Sequence, residues 1–514
     1  MKTRKQKTKE PTSQIPIVTT IHNRFVTFEW DSFEAEELRP YFSYLVPGYW
    51  WMPKFKSGVW DGKISMLKRN TVATGVFLKM LPQMQKDGIP FDMTDERSSV
   101  AFKHEDPSRI KIPGKELRRY QLDCIAEMCL QSDTGGLILN ATGTGKTLTA
   151  AAYLSLLEGS AVFVVDELTL LEQAKEEFEE VLGEEVGTVG KSVFDPKRIT
   201  VATIQTLHLH REKAAYKAWT KDLQVMIIDE IHVGLNNRQA ATILAIQPPV
   251  VFGLTATLEI EKEDIAMRAA AIAGPVIFRY EYQDGVQERH LTPAVVIGAD
   301  MVRTHLPSTE LDYHGLYRKY IVSSRSRNDF LEELLREGLD RGKYIILLVE
   351  RVKHLEKLSA RMEDVPHRVV YGEKKVADRI AAKKDFESGK VRLLLVNKVF
   401  KKGVNLKRTD VIIDAAGMYG ANDAVQKLGR GVRLCDAKSG LIYFDVGDRR
   451  PAGESLKSNR FLKATENRRQ ALRKLGVTMK VRRASTGAAE LYDLAERQLK
   501  RVLSTGKLNP QNIL

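Results

Sequence analysis

One run of residues limits what this chain can fold into more than any other: LILNATGTGKTLTAAAYL, residues 137–154. An apolar strand enters a loop of small residues, and the loop feeds a helix that begins near Gly145. Gly143 and Gly145 let the backbone come close to phosphate oxygens, and the N–H groups of Ala141, Thr142, Gly143, Thr144 and Gly145 point inward around them. Lys146 then reaches the β- and γ-phosphates, and the Thr147 hydroxyl is placed to ligate Mg²⁺. The full GxxxxGK pattern has glycine at position 140, where this chain has Asn140. The expected ligand is ATP with Mg²⁺.

A second run, LQVMIIDEIH (residues 223–232), supplies what a phosphate loop needs to hydrolyse its nucleotide. A buried strand ends on adjacent carboxylates, Asp229 and Glu230. Neighbouring side chains on a strand point to opposite faces, but the twist at a strand's end lets both face one ligand. Asp229 is expected to hold Mg²⁺ through water, and Glu230 to orient and deprotonate the attacking water.

Around these runs, short strands that are apolar on both faces alternate with helical stretches, the pattern of a buried parallel sheet. GGLILN, AVFVVD, RITVAT, VMIIDE and VVFGLTAT form one series; KYIILLVE, HRVVYG, VRLLLVN, DVIIDAA and GLIYFDVG form another. The predicted fold is α/β. Two tandem RecA-like domains span 111–285, with the ATP site, and 290–448, joined between Ala273 and Pro293. A small α+β domain at 15–105 precedes them, with a disordered basic tail at 1–14, and a basic helical segment at 449–514 follows.

At 514 residues the chain is long enough for several cores, and no apolar run of membrane-spanning length occurs. Cys124, Cys129 and Cys435 fall in no metal or disulfide spacing, which points to a reducing, cytosol-like compartment. Net charge is +14, and residues 451–514 carry 14 Lys/Arg against 5 Asp/Glu. Basicity so unevenly placed implies either a polyanionic partner or a solubilising tail.

These motifs resemble those of superfamily 2 helicases. KELRRYQLDCI is similar to the adenine-recognition element of that family, which gives Tyr120 and Gln121 to the base and Arg118 to the ring face. VVDELTLLEQ and TVATIQT resemble loops that touch the nucleic-acid backbone, implicating Gln173, Thr203 and Gln205. LTATL (Thr255, Ala256, Thr257) resembles motif III, and NKVFKKGVNL motif V, with Asn397, Lys401 and Lys402. QKLGRGVR is a full QxxGRxxR motif VI, so the resemblance assigns Gln426, Arg430 and Arg433 to the developing charge of phosphoryl transfer. Two departures stand out: DEIH in place of DEAH or DECH, and the Lys401–Lys402 pair, which suits a phosphate contact or a solvated loop. At the amino end, FKSGVWDGKISML resembles the small domain of phage UvsW-type helicases, as does the tail NRFLKATENRRQALRKLGV. That implies DNA (branched, forked or single-stranded) as partner, work alongside recombination proteins, a monomer, and the cytosol of a prokaryote or phage-infected host.

Tyr49, Trp50, Trp51, Phe55 and Trp60 suit a base-stacking platform, but a domain of under 100 residues also needs large side chains for its core. The core is the preferred reading, which leaves Lys54, Lys56 and Lys63 as DNA contacts. The histidines are scattered, and no structural metal is expected. A restriction or defence motor, an RNA helicase, and a nucleic-acid scaffold with a silent ATP site are the competing functions.

Overall fold

The computed structural model describes residues 16–29, 36–104, 106–256, 259–302, 312–372, 374–397, 408–417, 421–435, 438–449 and 460–505. The chain divides into two compact units: residues 1–140 with 145–279, and residues 280–514, with which the loop residues 141–144 group. Among the described residues no helix is long and apolar enough to cross a membrane.

The first unit opens with a four-stranded sheet and a separate hairpin. Strands β1 (Ile17–Ile21) and β2 (Phe25–Glu29) pair antiparallel. After the hairpin strands β3 (Ser43–Leu45) and β4 (Lys63–Ser65), β5 (Thr71–Ala73) and β6 (Phe91–Asp95) complete the sheet in the order β5-β2-β1-β6. Alternation decides which side is buried: Ile17, Ile21, Val26 and Phe28 face a core shared with Val76, Phe77 and Met84 of the helix Thr74–Lys86.

That helix seats the small domain on its neighbour. Met267, Ala270 and Ala271 of the helix Glu263–Ala273 belong to the same core. Gly75 permits the close approach, since a Cβ there would lie 2.1 Å from the Ala270 carbonyl oxygen. Arg24 donates to the Ile272 carbonyl, placing a cation at that helix's C-terminal end. Arg97 forms an ion pair with Asp133 at 3.1 Å.

The remainder of the unit is an eight-stranded sheet. Its strands are β7 (Gly135–Asn140), β8 (Ser160–Val165), β9 (Gly187–Gly190), β10 (Val193–Asp195), β11 (Ile199–Thr203), β12 (Leu223–Asp229), β13 (Val250–Thr255) and β14 (Val276–Tyr280), in the order β10-β9-β11-β8-β12-β13-β7-β14. Beyond the β9–β10 hairpin, the central pairs are parallel. Successive residues of β8 serve opposite cores: Ala161, Phe163 and Val165 one, Val162 and Val164 the other. A strand covered by helices on both faces has to be apolar throughout, which is why these runs lack polar alternation.

In the second unit, β15 (Ala294–Val302), β16 (Ile345–Leu348), β17 (His367–Val370), β18 (Leu393–Val396), β19 (Val411–Asp414), β20 (Leu441–Arg449) and β21 (Thr478–Arg483) form a parallel sheet in the order β17-β18-β16-β19-β20-β15-β21. Of the segment expected as a basic helical piece at 449–514, the described residues 460–505 are thus part of this domain. They supply β21 beside β15 and the helix Ala488–Thr505, whose Leu491, Leu494, Leu499 and Val502 pack into the main core.

Candidate active site

The phosphate loop starts where β7 ends. Gly143 and Gly145 have φ of +92° and +76°, a region L side chains rarely adopt, so the loop's glycines are required by its shape. Gly145 caps the helix Lys146–Leu156. Thr144 Oγ1 donates to the Ala141 carbonyl at 2.7 Å, closing the loop on itself. Lys146 Nζ lies 3.2 Å from the carbonyl of Asn140, the residue that departs from the glycine pattern; the Asn140 side chain is buried. Thr147 follows Lys146 in the first turn of this helix.

The helix Arg119–Leu130 brings Gln121 to this loop: a Cβ on Gly145 would sit 2.9 Å from Gln121 Nε2. Gln121 Oε1 accepts the Arg118 backbone N–H at 2.9 Å, so the same amide caps its own helix. Tyr120 and Gln121 are both buried, and Arg118 is partly buried at the cap.

At the end of β12 the backbone turns sharply. Glu230 adopts φ +50° and ψ +55°, a left-handed conformation that costs a non-glycine residue about 1 kcal/mol. This turn, rather than a gradual strand twist, swings Glu230 away from the direction it would have as the next strand residue. Glu230 Oε2 accepts the Thr255 hydroxyl at 3.1 Å and stands 3.2 Å from His232 Nδ1. Thr255 ends β13, so motif III and the acidic pair meet at one oxygen. Asp229 Oδ1 accepts the Glu230 backbone N–H at 3.1 Å.

Burial and the neighbouring Glu230 charge raise the Asp229 pKa. Burial works in the same direction on Glu230, but the His232 hydrogen bond and the Lys146 charge outweigh it and hold that carboxyl low. Of the two, Glu230 is therefore the carboxyl held ionised. A cation beside Asp229 relieves the charge crowding that raises it, so Thr147 and Asp229 fit a magnesium ion carried in with a nucleotide. Among the described residues no three His, Cys, Asp or Glu side chains gather as a metal site.

In the second unit, Gln426 and Arg430 lie on the helix Ala421–Gly431 and Arg433 just past it. At 3.6 residues per turn, Gln426 and Arg430 are about 40° apart around the helix axis. The Thr292 hydroxyl donates to the Arg433 carbonyl at 3.2 Å, and the Thr292 N–H to the Val432 carbonyl at 2.7 Å, which fixes the backbone that carries Arg433. Lys438 donates to the Gly431 carbonyl at the helix end.

The expected nucleic-acid contacts separate into groups. Lys54, Lys56, Lys63, Gln173 and Gln205 are exposed, and Gln205 Nε2 also donates to the Asp166 carbonyl at 2.8 Å, tying two of the family's backbone-contact loops together. Thr203 is 2% exposed with its hydroxyl 2.8 Å from that of Thr206, so burial withdraws its side chain from a phosphate. Asn397 follows β18 and is partly buried. Lys401, Lys402 and Thr257 lie outside the described residues.

Two charge and packing expectations need correction. Trp50 and Trp51 are not core: they are 52% and 72% exposed. The segment supplies its own small core instead, with the Tyr49 and Phe55 rings 4.7 Å apart edge to face and Gly62 against the Tyr49 ring. Trp60 Nε1 donates to the Lys63 carbonyl at 2.7 Å, and the Lys56 ammonium lies 5.3 Å from the Trp51 ring centroid. The two tryptophans thus stand on a braced knuckle ringed by lysines. Secondly, part of the basic C-terminal charge faces inward: Arg468 and Arg469 are buried and paired with Asp445, at 3.0 and 2.6 Å.

Three family models match. Residues 114–260 match the type III restriction enzyme res subunit, residues 326–435 the helicase conserved C-terminal domain, and residues 21–87 the N-terminal domain of the DNA helicase UvsW. The chain is a superfamily 2 helicase of UvsW-like organisation. Among curated proteins, this helicase is 24% identical over 446 residues to the ATP-dependent DNA helicase uvsW of phage T4, covering 80% of this chain and 86% of that one. It is 24% identical over 333 residues to a DNA 3'-5' helicase XPB of Kineococcus radiotolerans, covering 62% of this chain and 58% of that protein, so the chain spans little more than half of that relative. In fold, it matches Saccharomyces cerevisiae Dbp5 bound to RNA and ADP BeF3, with a TM-score of 0.51 at 14% identity over 76% of this chain and 94% of that one.

Proposed function

We propose that this helicase is a DNA-stimulated ATPase that translocates on, and remodels, forked and junction DNA. The observation that carries the hydrolytic half is the Glu230–Thr255–His232 contact, a positioned base tied directly to motif III. Lys146 and the loop amides bind the phosphates, Gln121 faces the base, and Glu230 takes the proton of the attacking water. Magnesium held by Thr147 and Asp229 would neutralise charge on the phosphates. Gln426, Arg430 and Arg433 of the second unit take, by the resemblance of motif VI, the developing charge of phosphoryl transfer. A scaffold with a silent site has no use for so complete a set.

DNA, rather than RNA, is favoured by the two curated relatives described above, whose names specify DNA helicases, and by the UvsW-type amino-terminal domain. The exposed knuckle gives that domain a means of engaging unpaired bases, by stacking on Trp50 and Trp51 with Lys54, Lys56 and Lys63 on the backbone. Roles in recombination, repair or replication restart, a monomeric state and recombination-protein partners belong to the same proposal. The deciding experiment compares ATP turnover with single-stranded DNA, duplex, a four-way junction and RNA. Stimulation strongest on the junction is expected. Equal turnover with and without any nucleic acid, unaffected by Lys146→Ala, would overturn the motor reading, and preferential stimulation by RNA would overturn the DNA assignment.

A further inference from the structure

Between the motif VI residues of the helix Ala421–Gly431 sits a lysine that faces the protein interior. Lys427 is 4% exposed, and its ammonium lies 3.0 and 2.9 Å from the two carboxylate oxygens of Asp414 and 2.9 Å from Asp423 Oδ2. Asp414, 1% exposed at the end of β19, also accepts the Tyr443 hydroxyl at 2.8 Å. Behind this cluster stands the helix Arg460–Lys474: Arg468 pairs with Asp445 at 3.0 Å and donates to the Gly417 carbonyl at 2.8 Å. Gly417 lies on the chain leading into the Lys427 helix. The chain of contacts therefore runs from the helix Arg460–Lys474, through Asp445 in β20 and its register partner Asp414 at the end of β19, to the helix that carries Gln426 and Arg430.

Burying four charges this deeply is expensive, and well-packed apolar residues often serve stability as well or better. What an ionic cluster adds is direction. Three carboxylate oxygens around one ammonium define the rotation of the helix about its axis, which apolar packing leaves looser. Lys427 and Arg430, three positions apart, are about 60° apart around the helix, so a fixed lysine fixes the arginine's direction. We infer that Lys427, clamped by Asp414 and backed by Arg468, is a positioning residue that holds the Arg430 and Arg433 side chains in the orientation phosphoryl transfer requires. The inference rests on the hydrolytic reading above. It gives the helix Arg460–Lys474 a catalytic-support role, unlike that of a DNA-binding tail.

The test uses the full chain. Lys427→Met keeps the volume and removes the charge, and Tyr443→Phe removes one hydrogen bond to Asp414. Melting temperature, KM for ATP, kcat with saturating DNA, and affinities for ADP and for ADP with aluminium fluoride are measured. Misplacement by about 1 Å costs ~10²-fold in rate, so kcat of Lys427→Met should fall about that much with KM within a few-fold. Affinity for the transition-state mimic should fall with it while ADP affinity stays, a separation that general destabilisation does not produce. Should Lys427→Met fail to fold, Tyr443→Phe decides, with a smaller fall in kcat and the same selectivity for the mimic. Unchanged kcat in a folded variant, or parallel loss of both ligands, overturns the inference. Arg430→Ala separates the two failures: if it too leaves turnover intact, the hydrolytic reading is what has failed.

Discussion

The Thr255 hydroxyl donates to Glu230 Oε2 at 3.1 Å, joining the last residue of β13 to the first residue beyond β12. A hydrogen bond to a charged group is worth about 1.5–3 kcal/mol, so losing this one should slow the step that depends on the Glu230 orientation by roughly 10- to 150-fold. Thr255→Val is expected to bind ATP normally and hydrolyse it that much more slowly, with Thr255→Ser close to the parent. Steady-state ATPase with nucleotide-binding titration checks this; equal turnover in the valine variant would show that the contact does not orient the base.

Removing the base itself should have a different signature. Glu230→Gln preserves size and hydrogen bonding but cannot take the proton of the attacking water. Turnover is expected to fall by ~10²-fold or more, while ATP remains bound and DNA affinity in the presence of ATP rises above that measured without it. A DNA titration with and without ATP reads this directly, and identical affinities would argue against coupling between ATP and DNA binding.

The exposed knuckle predicts separable binding defects. Each of Trp50→Ala and Trp51→Ala should weaken single-stranded and forked DNA binding by about 1–3 kcal/mol, the usual value of stacking one base, and affect blunt duplex much less. Lys54→Ala, Lys56→Ala and Lys63→Ala should each weaken all substrates alike and flatten the salt dependence. Neither class should shift the melting temperature, since both tryptophan side chains are largely exposed. Parallel losses on fork and duplex from the tryptophan variants would remove stacking from the account.

What could be read from the sequence was local. Lys146, the Asp229–Glu230 pair and the QxxGRxxR string are short, closely spaced and set among strand-like runs, so composition and order sufficed to find them. Trp51 and Arg468 show the limit. A tryptophan among apolar neighbours reads as core, yet Tyr49, Phe55 and Gly62 form a core too small to enclose it. Arg468 reads as surface charge because Asp445, its counter-ion, is 23 residues away and reaches it only through the strand–helix crossover. The left-handed turn at Glu230 likewise left no trace, since glutamate has no preference that announces it. The clamp at Lys427 was hidden inside a recognised motif, at a position the motif leaves open.

Acid should destabilise the second domain through His354. Its ring is buried, with Nε2 2.8 Å from Asn328 Oδ1, and burial together with the Arg327 and Lys357 charges lowers its pKa from 6.5 to about 3. Folded, the imidazole stays neutral; unfolded, it takes up a proton below pH 6.5. Its contribution is thus fully present above pH 6.5 and is lost as pH falls toward 3, with a slope of up to about 1.4 kcal/mol per pH unit. His354→Gln, which can still hydrogen-bond Asn328, should flatten the stability profile between pH 6.5 and 4 in urea titrations. An unchanged acid limb would assign that loss to other groups.

The seat of the amino-terminal sheet makes the last prediction, because the knuckle can act on DNA in step with ATP only if its domain is fixed to the phosphate-loop domain. Gly75 lies where the helix Thr74–Lys86 crosses the helix Glu263–Ala273, and a methyl group there meets the Ala270 carbonyl oxygen at 2.1 Å and Gly274 Cα at 2.5 Å. Both are backbone atoms, so no rotamer change relieves the clash. Gly75→Ala should cost about 1–3 kcal/mol, the usual price of overpacking, and lower the melting temperature of the first unit by several degrees. The partly buried Arg24 guanidinium, whose pKa desolvation lowers to about 10, donates to the Ile272 carbonyl across the same seam, so Arg24→Met should act in the same direction. Calorimetry reads the stability, and junction-stimulated ATPase reads the coupling. If the seam transmits, both variants lose DNA stimulation while keeping basal turnover; if stimulation survives a weakened seam, the small domain works as a tether and its rigid seating is incidental.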